Sequence, residues 1–97
     1  MLPVDYLPAA RRDFDESFDW YAERSLSAAL GFVDSVDAAL STISADSERF
    51  QAVDNVHRAC PIKRFPFRIV YRVARDRIVV VAVAHAKRRP GFWRKRS

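Results

Sequence analysis

The sequence contains few of the residues that build disulfides, metal sites or flexible linkers. Cys60 is the only cysteine, so no intrachain disulfide can form, and no cysteine or histidine spacing resembles a zinc site. Two glycines and five prolines among 97 residues leave no room for a low-complexity linker. With 49% hydrophobic and 30% charged residues, the composition is that of a folded protein. We expect a single domain over residues 1–97, with no metal and no cofactor.

Long apolar stretches are also missing. The first residues lack the basic region and apolar stretch of a secretion signal. The longest apolar run, residues 78–84, is too short to cross a bilayer. The sequence therefore predicts a cytoplasmic protein without membrane contact. Gly-rich phosphate loops, nucleophile elbows and His-Glu metal motifs are absent from it as well.

Positive charge is concentrated in the second half of the chain. Residues 1–50 carry ten acidic and four basic side chains, which gives −6, and residues 51–97 carry two acidic and thirteen basic ones, which gives +11. The two halves sum to the net charge of +5. A surface divided in this way should attract a polyanion or an acidic protein to the C-terminal half.

The first half of the sequence predicts a short strand and two helices. Residues 4–7 are a candidate edge strand. Apolar residues then recur at helical spacing over about residues 8–24, and Pro8 suits the first turn. Ser25 is a candidate N-cap for a second helix that extends to about residue 44. Because the connection is so short, the two helices should form an antiparallel hairpin.

The second half has the periodicity of strands. Candidates cover residues 57–63, 65–73 and 78–86, and short connections between them predict antiparallel pairing. The last candidate shows no alternation, which indicates burial on both faces in the middle of a sheet. The predicted fold class is α+β: a short N-terminal strand, an antiparallel helical hairpin and a three-stranded antiparallel meander, with the helices on one sheet face.

The segment that follows the last strand, residues 87–96, combines cations with two adjacent aromatic residues. Cations can hold phosphates while aromatic rings stack on bases, or the same mixture can contact an acidic protein. Alternatively, the two aromatic residues only hold the segment on the core. The candidate target-binding residues are Lys87, Arg88, Arg89, Phe92, Trp93 and Arg94.

A second set of candidates comes from neighbouring strands. Arg68 lies in one predicted strand and Arg88 follows the next, so their guanidinium groups could meet and bind a phosphate. His85 lies nearby and could exchange a proton near neutral pH. The alternative is that His85 is an ordinary strand histidine and Arg68 a residue of the sheet surface. His57 is expected to be structural.

Three stretches of the sequence resemble the RelE/ParE toxin superfamily. They are Arg64-Phe65-Pro66-Phe67-Arg68-Ile69-Val70-Tyr71, the valine-rich strand ending at His85, and Lys87-Arg88-Arg89-Pro90-Gly91-Phe92-Trp93. Together with the helical hairpin before them, the likeness covers nearly the whole chain. It implies the RelE/ParE-like fold and a toxin of a type II toxin-antitoxin pair. A proline often present near Ser47 in members is absent here.

The resemblance implies two activities. RelE-like members cut messenger RNA on the ribosome, and Arg68 and Arg88 match the two arginines of their pattern, with His85 as a further catalytic candidate. The lysines expected before them fall at Ala59 and Pro61. ParE-like members are similar in the Arg-Phe-Pro-aromatic strand and in the ending around Trp93, and the implied action is inhibition of DNA gyrase. This chain is more similar to the ParE-like branch.

Either branch implies a cognate antitoxin with an acidic C-terminal arm as partner. The remaining alternative is a non-toxic basic domain that only binds nucleic acid or its partner. Under the gyrase hypothesis, truncation after Pro90 is expected to abolish toxicity and to leave the fold and antitoxin binding intact.

Overall fold

A computed structural model describes residues 1–96 of the chain as a helical hairpin packed on one mixed sheet. The elements follow in the order β1 (Val4–Tyr6), α1 (Pro8–Arg24), α2 (Leu26–Ala45), β2 (Gln51–Ala52), β3 (His57–Pro61), β4 (Phe67–Val73) and β5 (Ile78–His85). The α+β class, the hairpin and the antiparallel meander β3-β4-β5 confirm the predicted fold.

The sheet is larger than the three-stranded meander that the sequence predicts. Its strand order is β1-β5-β4-β3-β2, with β1 parallel to β5 and all other pairs antiparallel. The two-residue strand β2 was not predicted, because a strand of that length has no measurable periodicity. The N-terminal strand was predicted at an edge, and it extends the sheet beyond β5 as a parallel strand.

Local sequence sets the helix boundaries. Pro8 occupies the first turn of α1, where the absence of its N–H leaves no hydrogen bond unmade. At the junction, the Ser25 N–H donates to the Tyr21 carbonyl at 2.7 Å, and the Ser25 hydroxyl accepts from the Ala28 N–H at 3.1 Å. The predicted N-cap is therefore present. The second helix ends at Ala45, about one residue beyond its expected end.

The main core lies between the hairpin and the sheet. Phe32, Val36 and Ile43 of α2 are buried there against Ile69 and Tyr71 of β4. By length and composition alone, α2 would be long and apolar enough to cross a membrane, a test that core helices of globular proteins also pass. In this structure one face of α2, which includes Phe32, Val36 and Ile43, is buried.

Strand β5 is buried on both faces, as its lack of alternation predicts. A β-bulge contributes to the irregular pattern: Val70 pairs with Ala82 and Tyr71 with Val80, so Val81 is an extra residue in β5. Val80 packs toward the helices, whereas Val81 and Ala82 belong to a second core on the opposite face. That second core requires a cover, which the C-terminal segment provides.

Candidate functional site

The C-terminal tail, residues 87–96, folds back under the sheet in a series of turns. Trp93 is 2% exposed and joins Ala59, Val70 and Ala84 in the second core. Gly91 has a φ of 82°, the left-handed region that glycine favours. A Cβ atom there would also lie 2.7 Å from the Arg94 guanidinium. The turn at Gly91 therefore helps to return the aromatic pair to the sheet.

A buried ion pair ties the tail to α1. The Arg96 guanidinium donates to both carboxylate oxygens of Asp13, at 2.6 and 3.1 Å, and its Nη1 also donates to the Val81 carbonyl at 3.1 Å. Asp13 in turn accepts from the Val83 N–H at 3.1 Å. These bonds satisfy backbone groups of β5 beyond the point where β1 ends at Tyr6. Side chains thus close the edge of the sheet that the short first strand leaves open.

A second, more exposed contact ties the tail to the loop before β3. The Arg94 Nε lies 3.5 Å from the Asp54 carboxylate. Asp54 also accepts from the N–H groups of Val56 and His57, at 2.8 and 2.6 Å, and lies 3.0 Å from the His57 Nδ1. Partial burial raises the pKa of Asp54, but these N–H bonds and the His57 ring lower it by more, so its pKa ends well below the usual value.

The predicted target-binding residues divide into exposed cations and a buried anchor. Lys87, Arg88, Arg89 and Arg94 are exposed. Phe92 is half-buried, with the Arg88 guanidinium carbon 3.9 Å from its ring centroid. Because Trp93 is buried, it holds the tail in place and is not available for direct contact with a partner. The role of the exposed members remains a prediction.

The second predicted set, Arg68, His85 and Arg88, lines a single groove at the end of β4 and β5. This groove, named here the underside groove, has a volume of about 430 Å³ and is also lined by Phe92 and Trp93. The guanidinium carbon of Arg68 lies 5.6 Å from the Trp93 ring centroid. The expectation that Arg68 and Arg88 share one side of the sheet is therefore met in the structure, whereas their role is still a prediction.

His85 has a defined environment at the rim of the underside groove. Its Nδ1 accepts from the Lys87 N–H at 3.0 Å, so the neutral ring carries its proton on Nε2. The Phe67 ring packs edge-on against it, with centroids 4.9 Å apart. His57, expected to be structural, is 6% exposed and lies beside Asp54.

Sequence reasoning did not identify Asp13, Asp54 or Arg96. Asp13 lies among the acidic residues of α1 and Arg96 among the cations of the tail, so neither residue stands out by its type. Their partners are distant in sequence, and only the fold brings them together. Within residues 1–96, no group of three or more His, Cys, Asp or Glu side chains is arranged to hold a metal ion.

Comparison with known proteins finds a match to a family model and matches to solved structures. Residues 4–90 match the family model of the ParE toxin of the type II toxin-antitoxin system parDE. Among solved structures, a chain of the chromosomal ParDE TA system from P. aeruginosa is similar, with a TM-score of 0.75 at 18% identity over 88% of this chain and 96% of that chain. At that identity the likeness concerns the fold alone. No curated protein sequence matches the chain.

Proposed function

Because the chain belongs to the ParE toxin family, it is the toxin of a type II toxin-antitoxin system with an antitoxin as partner, and we propose that its target is DNA gyrase. The observation that carries the proposal is the tail. Its exposed cations are held on a rigid base by the buried Trp93 and by the Asp13–Arg96 ion pair. A basic surface that is fixed in this way loses little conformational entropy on binding a large target.

The proposed action is inhibition by binding. Lys87, Arg88 and Arg89 contact the gyrase-DNA complex after strand cleavage and stabilise it, so that resealing is blocked and replication stops. The protein performs no covalent step in this mechanism. Its charge raises the association rate with a target that carries exposed phosphates.

Inducible expression, with DNA and protein synthesis followed separately, tests the proposal. We expect replication to stop first, and the purified protein to inhibit supercoiling and to increase cleaved DNA in a gyrase assay. The triple variant Lys87→Gln/Arg88→Gln/Arg89→Gln should lose both effects. A matched control, Lys63→Gln/Arg72→Gln/Arg75→Gln, removes the same charge elsewhere in the basic half and should retain them. Normal supercoiling at saturating toxin would contradict gyrase as the target.

One observation favours a second candidate, a ribosome-dependent messenger RNA endonuclease. Arg68, His85 and Arg88 line the same groove, as such an activity would require. However, Ala59 and Pro61 occupy the positions where lysines are expected, so neither of these positions provides an ionisable side chain. This candidate predicts that translation stops first, that messages are cleaved, and that Arg68→Ala abolishes both. If expression of the chain caused no growth defect in cells, the protein would instead be a basic domain that only binds nucleic acid or its partner.

The antitoxin is proposed to neutralise the chain with an acidic C-terminal arm. The charge of +11 on residues 51–97 would speed association with such an arm and favour it over neutral partners. The proposal locates both proteins in the cytoplasm, where the chromosome is replicated. The association rate should fall steeply as salt is raised, whereas a salt-independent rate would contradict an acidic arm.

A further inference from the structure

A second pocket lies between α1 and the place where β4 begins and β5 ends. Glu16, Trp20 and Tyr21 of α1 line it, together with Phe67 and His85. Phe67 and His85 also line the underside groove, so the two cavities share that wall, whereas the arginines of the groove do not line the second pocket. This pocket, named here the aromatic pocket, has a volume of about 530 Å³, which lies in the range of small-ligand sites.

Four aromatic rings line the aromatic pocket and contact one another in turn. The ring centroids of Trp20 and Tyr21 lie 5.1 Å apart, those of Tyr21 and Phe67 6.4 Å, and those of Phe67 and His85 4.9 Å. Neighbouring rings are steeply inclined to each other, by 58° to 87°, so they enclose a space instead of forming a flat stack. Because the face of an aromatic ring carries partial negative charge, such a set of rings attracts cations.

Trp20 already takes part in a cation–π contact within the chain. The Arg24 guanidinium carbon lies 3.7 Å from the Trp20 ring centroid, and the Arg24 Nη1 donates to the Trp20 carbonyl at 2.7 Å. Arg24 is not among the described residues that line the aromatic pocket, whereas Trp20 is. The Trp20 ring is therefore open to the pocket on a side that Arg24 does not cover.

The charge around the aromatic pocket also favours a cation. Glu16 is the one carboxylate among the described lining residues, and no lysine or arginine is among them. The helix that supplies this wall, α1, carries five acidic and three basic side chains, in contrast to the +11 of residues 51–97. An anionic ligand would be repelled at Glu16, whereas a cation would gain a counter-charge there.

We propose that the aromatic pocket binds a small organic cation whose nitrogen carries methyl groups, such as a quaternary ammonium compound. The ring faces and the Glu16 carboxylate attract the charge, and the methyl groups contact the apolar walls. An unmethylated ammonium has three N–H donors that lose their water on entry, and Glu16 is the one charged acceptor among the described lining residues. Methylation removes these donors, so the methylated cation loses less on leaving water.

Two probes of the same shape test the role of charge. They are choline and the neutral alcohol in which a tert-butyl group replaces the trimethylammonium group. Trp20 and Trp93 each give one indole N–H resonance in NMR spectra, and Trp93, which lies in the second core, serves as the internal control. We expect choline to shift the Trp20 signal alone and to bind at least about tenfold more tightly than the alcohol. Equal affinities, or an unmoved Trp20 signal, would overturn the proposal.

Two further probes test the class of cation. Ethanolamine is choline without its methyl groups and should bind at least about tenfold more weakly. If ethanolamine binds as tightly as choline, the assignment to methylated cations is overturned. A short peptide that contains trimethyllysine carries the same head group on a protein side chain. If that peptide binds about tenfold more tightly than choline, the pocket takes a side chain of a partner protein, and the assignment to a free small molecule is overturned.

Matched variants separate the aromatic pocket from the general charge of α1. Glu16→Gln should weaken choline binding about tenfold, because it removes the counter-charge. Asp19→Asn removes a carboxylate from the same helix outside the pocket and should weaken binding less than about twofold, because solvent screens it. Equal losses in the two variants would overturn the proposal.

A third variant, Trp20→Leu, separates attraction to the ring from apolar packing. Trp20 is 52% exposed, so leucine should leave the fold intact, and the loss of one indole signal assigns the two resonances. Choline binding, followed by saturation-transfer NMR on the ligand methyl groups, should weaken about tenfold, whereas binding of the neutral alcohol should change little. Equal losses for the two ligands would mean that the ring acts only as an apolar surface and would contradict the proposal.

The inference goes beyond the proposed function, since it concerns a different site and is measured on the protein alone without gyrase or antitoxin. Choline binding by a protein that does not affect gyrase would retain the pocket and remove the target. Gyrase inhibition by a protein whose Trp20 signal ignores choline would do the reverse.

Discussion

The carboxylate of Asp13 and the guanidinium of Arg96 form a bidentate ion pair, although the two residues lie 83 positions apart in the sequence. The side chains are 9% and 19% exposed, and both also bond to the backbone of β5. The pair therefore joins the first helix, an open strand edge and the tail. Its removal is a test of whether the tail is part of the fold.

Replacing Arg96 by glutamine should leave the Asp13 carboxylate buried without its counter-charge. We expect the free energy of unfolding to fall by roughly 3 kcal/mol, as for other broken buried pairs. Urea unfolding measures the change. The control is Arg77→Gln, which removes an exposed cation paired with Asp5 and Asp76 and should cost less than about 1 kcal/mol. Similar losses of stability in the two variants would mean that the buried Asp13–Arg96 pair stabilises the fold no more than an exposed ion pair does.

Replacing Trp93 by alanine should destabilise the protein by roughly 3–5 kcal/mol, because it empties the centre of the second core. Truncation after Pro90 removes Trp93 and Arg96 together and should destabilise it further. The burial of Trp93 thus argues against the expectation that truncation leaves the fold intact. Thermal unfolding of both variants checks this, and a truncated chain as stable as the full one would contradict it.

Asp54→Asn should make the stability of the protein less sensitive to acid. Since the folded-state pKa of Asp54 is lowered, its contribution is complete above the unfolded-state value of about 3.9 and is lost as pH falls through the folded-state value. The difference in unfolding free energy between wild type and variant should therefore be constant near neutral pH and shrink below about pH 5. Asp34→Asn, which removes a carboxylate at an exposed position of α2, serves as the control.

Cys60 should react slowly with thiol reagents while the protein is folded. It is 2% exposed, and burial raises the pKa of its thiol to about 11, so little thiolate forms at pH 8. Reaction should speed up with urea in parallel with unfolding. As a comparison, Asn55→Cys in a Cys60→Ala background places a thiol at an exposed loop position and should react at once. Equal rates would show that Cys60 is accessible in the native state.

Ser25→Ala should cost roughly 1 kcal/mol of stability, because the Ala28 N–H loses its capping acceptor. Ser27→Ala changes a serine two residues further on, at an exposed position in the first turn of α2, and should change stability by less than about 0.5 kcal/mol. Chemical unfolding of the two variants compares the positions. A larger loss at Ser27 would contradict the assignment of the cap.

The sequence predicts elements whose boundaries depend on local residues. Pro8 and Ser25 set the starts of the two helices, and the unbroken apolar run of β5 indicates burial on both faces. It does not predict the parallel pairing of β1 with β5, because a three-residue strand carries no information about its partner. Nor does it reveal the two-residue β2.

The candidate site could be predicted in part. Arg68 was expected in one strand and Arg88 just after the next, which predicted that the two lie on one side of the sheet, and both line the underside groove. The burial of Trp93 and the pairing of Arg96 with Asp13 could not be foreseen, because the tail contains several cations of equal appearance. Which of these cations forms the ion pair with Asp13 depends on where the open edge of β5 lies in the folded protein.

The position of Arg96 also has a consequence for protein synthesis. The ribosome adds Arg96 long after Asp13, so the edge of β5 beyond β1 stays uncovered on the nascent chain until translation of the tail is complete. Contacts this distant in sequence also form late in folding. Until Arg96 has been added, the growing polypeptide has an open sheet edge and an unanchored tail.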